Sequence, residues 1–175
     1  MRAPTSYAGP RQSEKKHDAT FSQTEKTNIS TKEATVETLL AEKGNDVFSV
    51  QPDELMLKAV SLLREKRIGA LVVTSPDGAL EGILSERDIV RKLAETPGQV
   101  LQQKVEMLMT RKVQVCSPKD SLIQVLRRMT ENRFRHMPVV SGDKLIGLVT
   151  IGDVVHHRLN QLEHESVQLK QMIVG

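Results

Sequence analysis

Two heptapeptides carry the side chains best suited to chemistry, GILSERD at residues 82–88 and GLVTIGD at residues 147–153. In each, a hydroxyl (Ser85 or Thr150) follows an apolar run that opens with glycine, and a carboxylate (Asp88 or Asp153) stands three residues further on. Taken alone, this is a helix capping box: the hydroxyl accepts from an amide of the first turn, and the carboxylate reaches back to the capping residue's own amide. The later copy adds cations, because Arg133, Arg135 and His136 stand just before the neighbouring apolar run. A helix start leaves its first amides unpaired and its dipole favours negative charge. Hydroxyl, cations and helix start together therefore suit a phosphate.

The elements that must position these groups are short and repeated. Residues 137–140 and 145–149 are apolar runs separated by the polar turn Ser141-Gly142-Asp143, and a helical pattern opens at Thr150. That order predicts a strand, a turn, a strand and a helix start. Residues 67–90 repeat it, with Gly82, Ser85 and Asp88 matching Gly147, Thr150 and Asp153, and Arg67 matching Arg133. Further upstream, Val50-Gln51-Pro52-Asp53 matches Cys116-Ser117-Pro118-Lys119. The copies are offset by 66 residues before the turn and 65 after it. Two imperfect copies are a duplicated domain, since stacked-repeat architectures need three or more units.

The unit resembles the cystathionine β-synthase (CBS) domain, and the pair resembles the tandem CBS, or Bateman, module over about residues 34–174. GILSERD and GLVTIGD both fit that family's pattern of glycine, apolar residues, Ser or Thr, and Asp. The resemblance implies an α/β (α+β) fold of two β-α-β-β-α repeats packed as a pseudo-twofold pair, with adenosine nucleotides as ligands: AMP, ATP or NAD/NADH. It gives Ser85 and Thr150 the nucleotide phosphate, and Asp88 and Asp153 the ribose hydroxyls. A carboxylate accepts two hydrogen bonds at once from a cis-diol and disfavours a 2′-phosphate, so NADP should bind worse than NAD. Arg135 and His136 take the places of the basic pair that reaches phosphates. The first copy departs here, with Gly69 and Ala70 in those places, so phosphate charge there must be met from elsewhere, Arg87 being the candidate. The resemblance also implies that each site borrows its adenine wall from the other copy. Asp153 would then pair with Val47, Ile68 and Gly69, and Asp88 with Val113, Phe134 and Met137.

Composition narrows the classes. The chain has 175 residues, a net charge of +3, three Phe, one Tyr and no Trp. So few aromatics make a poor base-stacking surface, and so small a charge fits a solvated surface better than a nucleic-acid footprint. Cys116 is the single cysteine, which rules out an intrachain disulfide and fits a core or rim position. No apolar run approaches the ~18 residues of a membrane span. The start lacks the apolar middle of a secretory signal. It is rich in Ser, Thr and Arg, which leaves an organelle transit peptide conceivable, but its acidic residues favour the cytoplasm. There is no phosphate-loop motif and no paired cysteine, and His156, His157 and His164 read as surface residues. Glu86 and Asp88 have no nucleophile nearby, so no residue is assigned to catalysis and no metal is expected.

In chain order, residues 1–32 carry nine Ser or Thr and seven unpatterned apolar residues, which predicts a disordered tail. The first repeat is placed at 33–96, a connecting helix or linker at 97–110, and the second repeat at 111–175. Within them, a helix from about Thr35 to Gly44, strands at 47–50 and 113–116, and helices at 53–66 and 119–131 are expected. Asp53 is expected to cap the first of these two helices, and Leu57 to turn inward from it. The connecting helix is expected over 101–109. The last helix, from Ile151 to about Val174, bears Val155, Leu159, Leu162, Ser166, Leu169 and Ile173 at 4-3-4-3-4 spacing, the seam of a coiled coil. It must bury against a partner chain or fold back on its own domain, and a homodimer is the favoured outcome. The expected function is an energy- or redox-sensing regulatory module acting on an unidentified partner protein. The alternative is a structural dimerisation module with vestigial pockets.

Overall fold

A computed structural model of the chain describes residues 34–174. The tail expected over residues 1–32 lies outside the described residues. Helix α1 (Val36–Lys43) opens with a capping box in which Thr35 and Thr38 exchange hydroxyl and amide, and it ends at Gly44 with φ of 89°. The first half then runs through β1 (Ser49–Val50), α2 (Met56–Lys66), β2 (Ala70–Thr74), β3 (Leu80–Ser85) and α3 (Glu86–Glu95). Strand β1 pairs parallel with β2, and β2 antiparallel with β3. The second half has α4 (Leu122–Glu131), β4 (His136–Ser141), β5 (Lys144–Thr150) and α5 (Ile151–Val174), with β4 and β5 antiparallel. This is the repeated α/β architecture that the sequence implied.

The halves match down to their turns. After α2 and α4 the chain passes through a left-handed residue, Arg67 at φ 54° and Arg133 at φ 57°. The next amide in each case closes the helix end, Ile68 on the Leu63 carbonyl and Phe134 on the Met129 carbonyl, both at 3.1 Å. Such a closure gives the last carbonyls a partner and turns the chain into the following strand.

Several expected elements are shorter than their patterns implied. Only Cys116 of the 113–116 run joins a sheet: its amide meets the Pro138 carbonyl at 3.0 Å, and its carbonyl accepts from Val140 at 2.9 Å. Asp53 does not cap α2. The helix starts at Met56, the capping position before it is Leu55 with no side-chain cap, and the Met56 amide is met by the Gln103 carbonyl at 2.8 Å. The 119–131 helix begins at Leu122, because Ser117 and Asp120 close a turn of their own before it. Leu57, expected inward, is half exposed, and Met56 and Ala59 fill the core instead. The connecting helix is two single turns, Val100–Gln102 and Val105–Met107. Its amides go elsewhere: Val105 and Glu106 donate to the carbonyls of Glu54 and Pro52 at 2.8 and 2.9 Å.

The same contact recurs on the other side and shows how the halves interlock. Val36 and Glu37 donate to the carbonyls of Asp120 and Pro118 at 3.0 and 2.9 Å. Helix α1, expected within the first repeat at 33–96, thus packs on the second half instead. Its Val36, Leu39 and Leu40 share one core with Val125, Met129, Met137 and Val149. Val100, Val105 and Met109 precede the second repeat but complete the first core, with Met56, Leu63, Leu71 and Leu84.

Two matched glycines make room for these crossings. A Cβ on Gly82 would lie 2.9 Å from the Met109 sulfur and 3.0 Å from the Thr110 carbonyl oxygen, and one on Gly147 would lie 2.9 Å from the Leu40 methyls. The Thr110 backbone is held by two hydrogen bonds to Ile83, whereas a leucine side chain can swing. Gly82→Ala is therefore expected to destabilise the fold by about 1–3 kcal/mol, and Gly147→Ala by less. Urea denaturation of the two variants measures the difference.

Candidate functional site

A cleft of about 820 Å³ lies between the halves, with the GILSERD motif on one side and the start of β4 on the other. Ser85 ends β3 and caps α3. The Asp88 amide donates to the Ser85 hydroxyl at 3.3 Å, and the Ser85 amide to the Asp88 carboxylate at 3.2 Å. The capping box therefore forms, and both groups also line the cleft. From the second half come Val113, Phe134, Arg135 and His136. Gly69 sits close to His136, since a Cβ there would lie 3.4 Å from the ring. Arg87 spans the gap, donating to the Arg133 carbonyl at 2.9 Å.

Charge in the cleft is unbalanced. Arg87, Arg91, Lys112, Arg133 and Arg135 line it against two carboxylates, Glu86 and Asp88. Clustered cations facing a shared space raise the local concentration of anions. His136 is half-buried among mixed charges. Burial lowers its pKa from the ordinary value, outweighing the pull of Asp153 and Glu86 in the other direction.

The second motif is arranged differently. Its capping box also forms, Thr150 donating from its amide to Asp153 at 2.9 Å and Asp153 from its amide to the Thr150 hydroxyl at 3.1 Å. Neither residue lines the cleft. Lys43, at the end of α1, donates to the Asp153 carboxylate at 2.8 Å. Burial works to raise the Asp153 pKa, but Lys43 and the Thr150 amide together hold it below the usual carboxylate value.

The structure thus brings Ser85, Arg87, Asp88, Gly69, Val113, Phe134, Arg135 and His136 around one cleft. Arg135 and His136, read from the sequence as the phosphate pair of the later motif, lie in the cleft of the earlier one. Met137 is fully buried in the second core and Val47 and Ile68 are half-buried; none of the three lines the cleft. Arg91, Lys112 and Lys43 escaped the sequence reading. Arg91 lies one turn beyond Arg87 on α3, a spacing that could have drawn attention to it. Lys43 and Lys112 occupy crossing segments whose pairing depends on backbone contacts that no residue pattern announces. Cys116 is buried, and that burial pushes its thiol pKa up to about 12, so it stays protonated at neutral pH. Among the described residues, no helix is long and apolar enough to cross a membrane.

Comparison with known proteins identifies the family. The CBS domain family model matches residues 43–95 and 105–160. The mitochondrial CBS domain-containing protein CBSX3 of Arabidopsis thaliana is 35% identical over 127 residues, 70% of this chain and 62% of that protein. The chain therefore spans less than two thirds of that relative's length. A crystal structure of a CBS-domain containing protein from Agrobacterium tumefaciens is 42% identical, covers 71% of this chain and 99% of its own, and superposes with a TM-score of 0.70. A crystal structure of CBSX2 in complex with AMP is 30% identical over 66% of this chain and 89% of its own, with a TM-score of 0.57. Two matched repeats, two capping boxes in register and the fold of solved relatives lead to one assignment: this chain belongs to the CBS-domain family, as a tandem pair.

Proposed function

We propose that the cleft binds an adenosine nucleotide and that its occupancy regulates a partner protein. The observation that carries this reading is the cleft itself, where a hydroxyl–carboxylate pair at a helix start faces five cationic side chains. In the bound state Asp88 takes the ribose hydroxyls, Ser85 and the start of α3 take a phosphate, and Arg135 and its neighbours balance the remaining charge. Val113 and Phe134 offer the base an apolar wall. The AMP held by CBSX2 supports the ligand class. Regulation would follow from differential affinity, because a nucleotide touching both halves favours the relative placement that closes on it. The number of cations ranks ATP and ADP above AMP, and Asp88 ranks NAD above NADP.

A thermal-shift panel of AMP, ADP, ATP, NAD, NADH and NADP tests this, since a ligand that binds only the folded chain raises its melting temperature. The expected result is a rise with ATP that shrinks with added salt, as exposed charges are screened. No shift with any of them at millimolar concentration would remove the reading. The chain would then stand as a structural dimerisation module, a role favoured by the exposed apolar stripe of α5.

His136 adds a pH dependence of known sign. Its pKa is lowered in the free protein, so at neutral pH the ring is uncharged. A phosphate beside it favours the imidazolium, so binding takes up a proton and affinity rises as pH falls through the histidine range. Calorimetry with AMP between pH 8 and pH 6 should show several-fold tightening. His136→Gln should flatten the part of the slope that the ligand's own titration does not supply.

A further inference from the structure

The two motifs are alike in sequence but unlike in their surroundings, and the difference lies in the crossing segments. Val36 and Val105 make the same backbone contact on opposite halves, and Leu40 and Met109 cover the matched glycines Gly147 and Gly82. Counting on from these pairs, Lys43 corresponds to Lys112. In the first half the crossing segment ends its short helical turn at Met107, and Thr110 and Ile83 then exchange amide–carbonyl bonds of 2.8 and 3.0 Å. Lys112 then lines the open cleft, and among the described residues Asp88 takes no ion pair. In the second half α1 stays helical to Lys43, and the ammonium lands on Asp153 at 2.8 Å.

A second polar contact fixes the same place. Glu42, next to Lys43, meets His157 of α5 at 2.8 Å. The end of α1 is thus tied twice to α5, one turn apart. Beyond it comes Gly44, at a positive φ and with nothing within 4 Å of where its Cβ would be. The chain has room to bend there if the ties are released.

We propose that Lys43 is a built-in competitor for the ribose-binding carboxylate of the second motif, so that the chain takes up nucleotide at the Ser85/Asp88 cleft while the Thr150/Asp153 site stays latched. This rests on the nucleotide reading above. An ammonium on Asp153 supplies the hydrogen bond that a ribose hydroxyl would donate, and a ligand must displace it to use the carboxylate. Release of α1 from α5 opens the second site, which makes the contact between these helices a control point for how many nucleotides are bound.

Calorimetric stoichiometry with AMP tests the latch in the full chain and in Lys43→Met, which keeps the length of the side chain and removes its charge. Helix α1 is held in its core by Val36, Leu39 and Leu40, so the variant should stay folded. The expected result is one AMP per wild-type chain, two per Lys43→Met chain, and one again in Lys43→Met/Asp153→Asn. Two sites in the wild type, or one site in both wild type and Lys43→Met, would overturn the latch and leave the nucleotide reading standing. Absence of binding in every protein would overturn the nucleotide reading and the latch with it.

Discussion

Asp88→Ala is expected to weaken adenosine-nucleotide binding at least tenfold. A carboxylate facing a cis-diol accepts two charge-assisted hydrogen bonds, and a hydrogen bond to a charged group contributes ~1.5–3 kcal/mol. Losing one such bond already costs about a factor of ten. Asp88 also closes the capping box with Ser85, so the variant will lose some stability at the start of α3, on the order of 1 kcal/mol. Calorimetry separates the two effects if circular dichroism shows the variant folded at the titration temperature. The matching Asp153→Ala variant should change wild-type binding far less, because Asp153 is already committed to Lys43. Equal losses at both positions would mean that the two motifs serve as open sites alike.

Leu162→Lys/Leu169→Lys is expected to convert a dimer to monomer. Helix α5 has 24 residues, a length of roughly 36 Å, and only its first turns touch the second core, through Ile151 and Val154. Beyond them the apolar stripe faces outward: Leu162 is 45% exposed and Leu169 55%. The helix does not fold back on its own domain, so a second copy of the chain is the proposed cover. Two ammonium groups placed in such a seam would have to be desolvated without partners, which costs several kcal/mol. Light scattering at tens of micromolar should report dimer for the wild type and monomer, still folded, for the variant. A monomeric wild type would overturn the homodimer.

The sequence revealed what depends on local spacing and concealed what depends on crossing. Both capping boxes were legible because hydroxyl, carboxylate and helix start lie within four residues, and the structure forms each one. The strand pairs were legible because apolar runs flank recognisable turns. By contrast, the 113–116 run looked like a strand, yet only Cys116 pairs while Val113 and Gln114 turn to the cleft. The 101–109 run looked helical, yet its amides are taken by the carbonyls of Glu54 and Pro52 in another segment. The same swap explains the Lys43 ion pair. Lys43 and Asp153 are 110 residues apart, and nothing in either neighbourhood shows that α1 crosses to the opposite half.

A crystal structure of the chain grown with ATP decides whether a nucleotide occupies the cleft between the halves. The ribose is expected on Asp88, the phosphates between Ser85 and the Arg87–Arg135 side of the cleft, and Lys43 still on Asp153. A nucleotide seated on Asp153 with the cleft empty, or no bound nucleotide at saturating ATP, would contradict this placement.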